Sequence, residues 1–144
     1  MRAEPRSKRA FRSLNDSGVK LLAGTDAPTI PGIDAGFSLH DDLDRLVAAG
    51  FTRFQALSAA TRTPGEFIAA TIHEIQPFGE VRRGYRADLI LTGGDPSKDL
   101  DTLRHPEGVM AAGKWYSRPE LKAMTDQVAS AYSAAAAMGS SRDP

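Results

Sequence analysis

The sequence predicts an α+β fold, because helical spacing dominates the first half of the chain and short strand-like runs follow Pro77. From Leu39 to Val47, apolar residues recur at the intervals that place them on one face of a helix. After Pro77 the apolar runs become shorter, and turn-forming residues such as Gly93-Gly94 separate them. A chain of 144 residues with 41% apolar residues is long enough to bury a core around such elements.

The first predicted element is a helix over residues 4–17, with Ala10, Phe11 and Leu14 facing inward and Gly18 ending it. The apolar run that follows, residues 19–24, is too short for a helix and is predicted to form a buried strand. Two prolines and a glycine then predict a loop over residues 25–35.

Three short helices are predicted between residues 39 and about 71. Ser38 is expected to cap the first of them and Gly50 to end it. Thr52–Gln55 and Thr63–Glu66 both match the capping-box pattern, so each is expected to open a helix. In the second box, Pro64 falls at the first helical position, where its missing N–H has no cost.

The second half is predicted to be mainly β, with strands at 79–82 and 87–92 and a hairpin formed by 108–111 and 114–116. An Ala-rich helix is predicted over 119–138. The expected organisation has three parts: helices and one strand over 1–76, a small antiparallel β module over 77–117, and a helix with a frayed tail over 118–144.

Composition excludes several classes of function. Eighteen basic residues balance eighteen acidic ones, which argues against a nucleic-acid or anionic-membrane binder. No apolar stretch is long enough to span a bilayer. The chain contains no cysteine, so it has no thiolate nucleophile or thiolate metal ligand, and this composition fits a reducing compartment. We therefore expect a cytoplasmic protein.

Three short motifs resemble catalytic signatures but lack an essential residue. Gly108–Trp115 is not a phosphate-binding loop, because Trp115 stands where a Mg²⁺-binding Ser or Thr is needed. Gly36–His40 lacks the second glycine of a nucleophile elbow. His73-Glu74 has no second histidine one turn on, so it does not form a zinc-binding helix.

The most informative residue is Asp26, which follows the predicted strand Val19–Gly24. In a barrel of parallel strands the chemistry lies at the carboxyl ends of the strands. A carboxylate there is placed to bind a metal or to move a proton. On these residues alone, Asp26 also fits a turn aspartate that caps its own loop.

Gly18–Ala27 resembles the last barrel strand of the metal-dependent amidohydrolase superfamily. Segments 38–52 and 55–64 are similar to the helices that follow that strand. Segment 78–91, Gly94–Pro96 and the predicted hairpin are similar to the small β-sandwich of the family. The resemblance covers roughly residues 10–117, and the nearest subgroup is that of the imidazolonepropionases and Xaa-Pro dipeptidases.

The resemblance implies the last strand and helices of a (β/α)8 barrel, the C-terminal part of a small β-sandwich and a C-terminal helix. It implies that Asp26 is the catalytic residue that binds the metal and takes the proton from the attacking water. His40 is implied to line the pocket for a small-molecule substrate, although it also fits a partly buried helix histidine. The family's cofactor is a divalent metal, with zinc expected.

The departure from the family is large. Its His-x-His pair, its bridging lysine or glutamate and its two further histidines come from earlier barrel strands, whereas this chain has only His40, His73 and His105, none of them in a His-x-His arrangement. We therefore expect the C-terminal portion of an enzyme that hydrolyses C–N bonds in a cyclic amide or dipeptide-like substrate. Alone, this chain is expected to hold no tightly bound metal. It is expected to associate with itself or with a missing N-terminal segment. The alternative is a non-catalytic, stand-alone module that self-associates.

Overall fold

The computed structural model describes residues 6–27 and 36–140. The described part contains both helices and a sheet, as the sequence predicts. In chain order the elements are α1 (Arg6–Asp16), α2 (Ser38–Ala48), α3 (Arg53–Ala60), α4 (Arg62–Thr71), β1 (Leu89–Leu91), a 3₁₀ helix (Leu100–Arg104), β2 (Gly108–Ala111), β3 (Lys114–Ser117) and α5 (Arg118–Ser140). Among these helices, none is long and apolar enough to cross a membrane.

The described core is small and lies where α2, α3 and the 3₁₀ helix meet. Its buried side chains come from these elements and from the turn between α2 and α3, and they are Leu43, Leu46, Ala49, Phe51, Ala56, Ala59 and Leu100. The face predicted from Leu39 to Val47 therefore points inward. Leu21 and Ala23 pack against this core from the segment before Asp26.

The helix ends are formed mainly as their sequences predict. Gly50 ends α2 at φ +105°, and the N–H of Phe51 donates to the carbonyl of Leu46 at 3.1 Å. Gly18 ends α1 at φ +72°. The capping box opens α3, because the Thr52 hydroxyl accepts from the N–H of Gln55 while the Gln55 side chain accepts from the N–H of Thr52.

Two predicted helix starts are wrong by one or two residues. Ser38 is the first residue of α2, and Phe37 occupies the N-cap position. The Thr63–Glu66 box does not open α4, which begins at Arg62 with Thr61 as its N-cap. The Thr61 hydroxyl instead donates to the carbonyl of Leu57 at 2.7 Å, so this side chain closes α3 and does not cap α4.

The strand predicted at Val19–Gly24 is not formed in the described part of the chain. The N–H of Ala23 donates to the carbonyl of Ala59 at 2.9 Å, a bond to a helix end and not to another strand. Val19 and Leu22 are 50% and 49% exposed. A strand needs a neighbouring strand to satisfy its N–H and C=O groups, and none of the described elements supplies one here.

Two further expectations about burial and strands are corrected. Phe11 and Leu14 of α1 are 41% and 37% exposed, and Ala10 is also exposed, so the predicted inner face of this helix has no cover among the described residues. The strand predicted at 79–82 does not form in the described part of the chain, and Val81 is 88% exposed.

The antiparallel sheet has the order β1-β2-β3. Leu89 pairs with Met110, and Val109 pairs with Tyr116. The β2–β3 hairpin turns at Ala112 and Gly113, whose φ values of 49° and 81° are those of a type I′ turn. The carboxylate of Asp88 accepts from the N–H of Ala112 at 2.7 Å, which fixes the turn against the start of β1.

The segment that connects α4 to the sheet passes close to the start of α4. One glycine of the helix, Gly65, and one of the segment, Gly79, lie at this contact. A Cβ at Gly65 would lie 2.2 Å from the carbonyl oxygen of Phe78, and a Cβ at Gly79 would lie 2.3 Å from that of Thr61. Gly79 also has φ +91°. Only glycine at both positions permits this close approach of the two backbones.

Candidate functional site

Asp26 lies just after the core-packed segment and is exposed. Its φ of +57° is in the left-handed region, which aspartate tolerates better than most residues. The preceding hydroxyl, that of Thr25, accepts from the N–H of Ala27 at 3.3 Å, so the backbone turns locally around Asp26. Asp26 therefore lies outside the core, after a segment that packs on it but forms no strand.

His40 lies in the first turn of α2 and is half-buried. Partial burial lowers its pKa below the usual range, and the nearby Arg104 guanidinium lowers it further, whereas Asp41, Asp44 and Asp101 act in the opposite direction. Burial and the cation together dominate, so His40 favours the neutral form.

Arg104 is the centre of an ionic network beside His40. Its guanidinium donates to Asp44 at 3.0 Å and to Asp41 at 3.3 Å, and it lies 3.2 Å from a carboxylate oxygen of Asp101. These hydrogen bonds raise the pKa of Arg104. The network joins α2 to the 3₁₀ helix, so it holds the sheet region against the helical region.

The network could not be found from the sequence. Asp41 and Asp44 are separated from Arg104 by about sixty residues, and either acidic residue reads as part of a solvated helix face. The spacing of Asp41 and Asp44 on one side of α2 is the only signal, and it does not identify the cation that binds them.

A metal centre is not assembled within residues 6–27 and 36–140. No group of three or more His, Asp or Glu side chains in this part of the chain is placed to hold a metal ion. The structure groups His40 with the Arg104 network. Residues 28–35, most of the predicted loop between Asp26 and His40, lie outside the described residues. The residues present therefore do not fit a catalytic metal, which needs about three protein ligands.

The fold is shared with amidohydrolases. A solved Xaa-Pro dipeptidase with methionine bound in its active site matches 78% of this chain and 26% of its own, with a TM-score of 0.62 and 27% sequence identity. A solved amidohydrolase matches 76% of this chain with a TM-score of 0.59; at 23% identity this likeness shows the fold alone. No family model matches the chain.

The curated relatives agree with this class. Ochratoxinase from Aspergillus niger is 27% identical over 114 residues, which are 77% of this chain. The chain spans 22% of the length of that relative. The chain is therefore related to the amidohydrolase superfamily over a partial region, and the resemblance stated from the sequence is confirmed at that level.

Acidification is expected to destabilise the fold partly through His40. Because the pKa of His40 is lower in the folded than in the unfolded chain, the unfolded chain binds more protons as the pH falls through about 6.5. We expect the free energy of unfolding to decrease between pH 7.5 and 5.5, with a shallower decrease in His40→Gln.

Urea titrations at each pH measure this slope. His73→Gln, which replaces an exposed histidine outside the network, controls for the loss of a histidine. An unchanged slope in His40→Gln would contradict the assignment.

Proposed function

We propose that this chain is the C-terminal portion of a metal-dependent amidohydrolase that hydrolyses C–N bonds in a cyclic amide or dipeptide-like substrate. The observation that carries the proposal is the partial match to the Xaa-Pro dipeptidase, which covers most of this chain but only a quarter of the dipeptidase. In this proposal residues 1–76 are the end of the barrel, 77–117 belong to the small β-sandwich and 118–144 form the terminal helix.

Asp26 would contribute one carboxylate to the metal site of such an enzyme, with zinc as the proposed metal. The other ligands would come from polypeptide outside this chain, because no group of three or more His, Asp or Glu side chains among the described residues is placed to hold a metal ion. When bound, the metal supplies a water of lowered pKa. Asp26 is proposed to accept a proton, and His40 to line the pocket of the small-molecule substrate.

The surface around Val19 and Leu22 supports the presence of further strands. Both side chains are half exposed, while Leu21 and Ala23 between and beside them pack on the core. From residue 20 to residue 24 exposed and core-packed positions alternate, as in a strand with one face covered and the other open. Val19 falls outside this alternation, and Leu22 is the apolar side chain on the open face. We propose that barrel strands of another polypeptide segment cover the open face.

The runner-up is a non-catalytic module that covers the same face with a second copy of itself, as a homo-oligomer. The exposed apolar side chains of α1, Phe11 and Leu14, favour association without specifying the partner. The two candidates differ in whether Asp26 is needed for chemistry.

A chimera tests the proposal most directly. This chain is fused in place of the matched quarter of the Xaa-Pro dipeptidase, and hydrolysis of an Xaa-Pro dipeptide is measured with added Zn²⁺. We expect hydrolysis, and we expect Asp26→Asn to reduce kcat by about a hundredfold or more, as the loss of a proton-transfer group does.

Asp16→Asn, an exposed aspartate at the end of α1, is the matched control and should retain activity. Cooperative thermal unfolding establishes that each chimera is folded. A folded chimera that is inactive, or one that keeps its activity after Asp26→Asn, would exclude the proposed function and favour the non-catalytic module.

A further inference from the structure

We propose that the exposed apolar side of α5 is an interface with a second copy of this chain. The side chains concerned, called the α5 face, are Phe37, Met124, Val128 and Tyr132, which are 61%, 49%, 55% and 74% exposed. The last three follow one another at helical intervals along α5, so they share one side of the helix. Phe37, Met124 and Val128 line the same groove.

The first turn of α5 is held in place, so this side of the helix has a defined position. The guanidinium of Arg118 donates to the carbonyls of His105 and Pro106 at 3.0 and 3.1 Å and to the carboxylate of Glu107 at 2.8 Å. The residues just before β2 and the start of α5 are thereby joined. His105, Pro106 and Arg118 line the groove together with Val109.

The charges of α5 favour a polypeptide partner. All charged residues of the helix lie in Arg118–Asp126, and residues 127–140 contain none. Helices that bind membrane surfaces carry many Lys or Arg residues on their polar side, which α5 does not. A helix surface of this composition is typical of one that packs against another apolar protein surface.

The charge balance of α5 is compatible with a second copy as the partner. The charged residues of α5 are two cations and two anions: Arg118, Glu120, Lys122 and Asp126. A second copy is therefore not repelled. Lys122 and Asp126, which pair with each other at 2.7 Å, flank the groove. A two-fold axis would bring the same patch of each copy together, with cations and anions on both sides.

The exposed area is also sufficient. Given the size of aromatic side chains and the exposed fractions above, the α5 face presents roughly 450 Å² of apolar surface. A standard interface buries about 800 Å² on each partner, of which about 57% is non-polar, so it requires about the same apolar area. The α5 face can therefore form the centre of an ordinary dimer interface.

Sedimentation equilibrium of the whole chain over a range of concentrations tests this proposal. We expect a reversible dimer whose dissociation constant increases about tenfold or more in Val128→Glu, because the substitution places a charge in the apolar centre. Ser130→Glu, on another side of the same helix, is the matched control and should leave the dissociation constant unchanged. Circular dichroism verifies the helical content of each variant.

Leu22→Glu separates this interface from the surface used in the proposed function. Loss of association in Leu22→Glu but not in Val128→Glu would overturn the α5 interface and leave the proposed function intact. A wild-type chain that stays monomeric at high micromolar concentration would also overturn it. The two proposals can fail separately. If the chain dimerises through Val128 but the folded chimera is inactive, the α5 interface is supported and the proposed enzyme function is excluded.

Discussion

Replacing Gly79 with alanine is expected to lower the free energy of unfolding by about 3 kcal/mol or more. Two costs combine at this position. The backbone has φ +91°, and the new Cβ would lie 2.3 Å from the carbonyl oxygen of Thr61, which belongs to the backbone and cannot rotate away. Relief requires the Phe78–Gly79 segment to move off the first turn of α4. Equilibrium urea unfolding measures the change.

Two other glycines separate the cost of the positive φ from the cost of the close contact with Thr61. Gly84 has φ +86°, but no neighbouring atom would lie within 4 Å of a Cβ added there, so Gly84→Ala should lose only the conformational part, about 1 kcal/mol. Gly24 also has open space around it and no positive φ, so Gly24→Ala should be nearly neutral. If Gly79→Ala and Gly84→Ala lower the free energy of unfolding equally, the close contact between position 79 and the Thr61 carbonyl oxygen does not contribute to stability.

Replacing Gly65 with alanine is expected to lower the free energy of unfolding by about 2 kcal/mol. Here the backbone is helical, so alanine gains up to about 1 kcal/mol of helix propensity. That gain is outweighed because the Cβ would lie 2.2 Å from the carbonyl oxygen of Phe78. The adjacent carbonyl of Pro77 accepts from the N–H of Arg86 at 2.7 Å, which limits how far the segment can shift.

Ala69→Gly, at an exposed position of the same helix, measures the propensity difference alone. The double variant Gly65→Ala with Gly79→Ala should lose less than the two single losses added together, because both substitutions disrupt the same contact. Additive losses, or a stabilised Gly65→Ala, would contradict the close approach of the two backbones.

Local signals predicted the local elements well. The Thr52–Gln55 box and Gly50 define the start of α3 and the end of α2, because each acts through bonds to residues three to five positions away. The β2–β3 hairpin also follows from its own sequence, with Ala112-Gly113 at the turn. The Thr63 box failed because the Thr61 hydroxyl closes α3 and the next helix begins directly after it.

Elements that depend on distant partners could not be predicted from their own residues. The run Val19–Gly24 has the composition of a buried strand, yet it forms none in the described chain, because strand formation requires a neighbouring strand. For the same reason the apolar side of α1 stays open at Phe11 and Leu14. The composition of a segment indicates the environment in which it would be stable. The structure shows only the neighbouring elements that the described chain provides.

The two candidate site residues, Asp26 and His40, differ in the same respect. The position of Asp26 after an apolar run could be predicted, because it depends on residues 19–25 alone. The surroundings of His40 could not, because they depend on Arg104, which is brought beside α2 by the folding of the sheet region. The role of Asp26 depends on ligands that the described residues do not supply, and it remains a prediction.

Zinc content tests whether this chain holds a complete catalytic site. The purified chain is equilibrated with Zn²⁺, dialysed and subjected to elemental analysis, and hydrolysis of an Xaa-Pro dipeptide is assayed in parallel. We expect far less than one tightly bound zinc per chain and no hydrolysis, because Asp26 alone cannot hold a catalytic metal. About one tightly bound zinc per chain, with hydrolysis that Asp26→Asn abolishes, would show that this chain holds a complete active site and is not one portion of a larger catalytic unit.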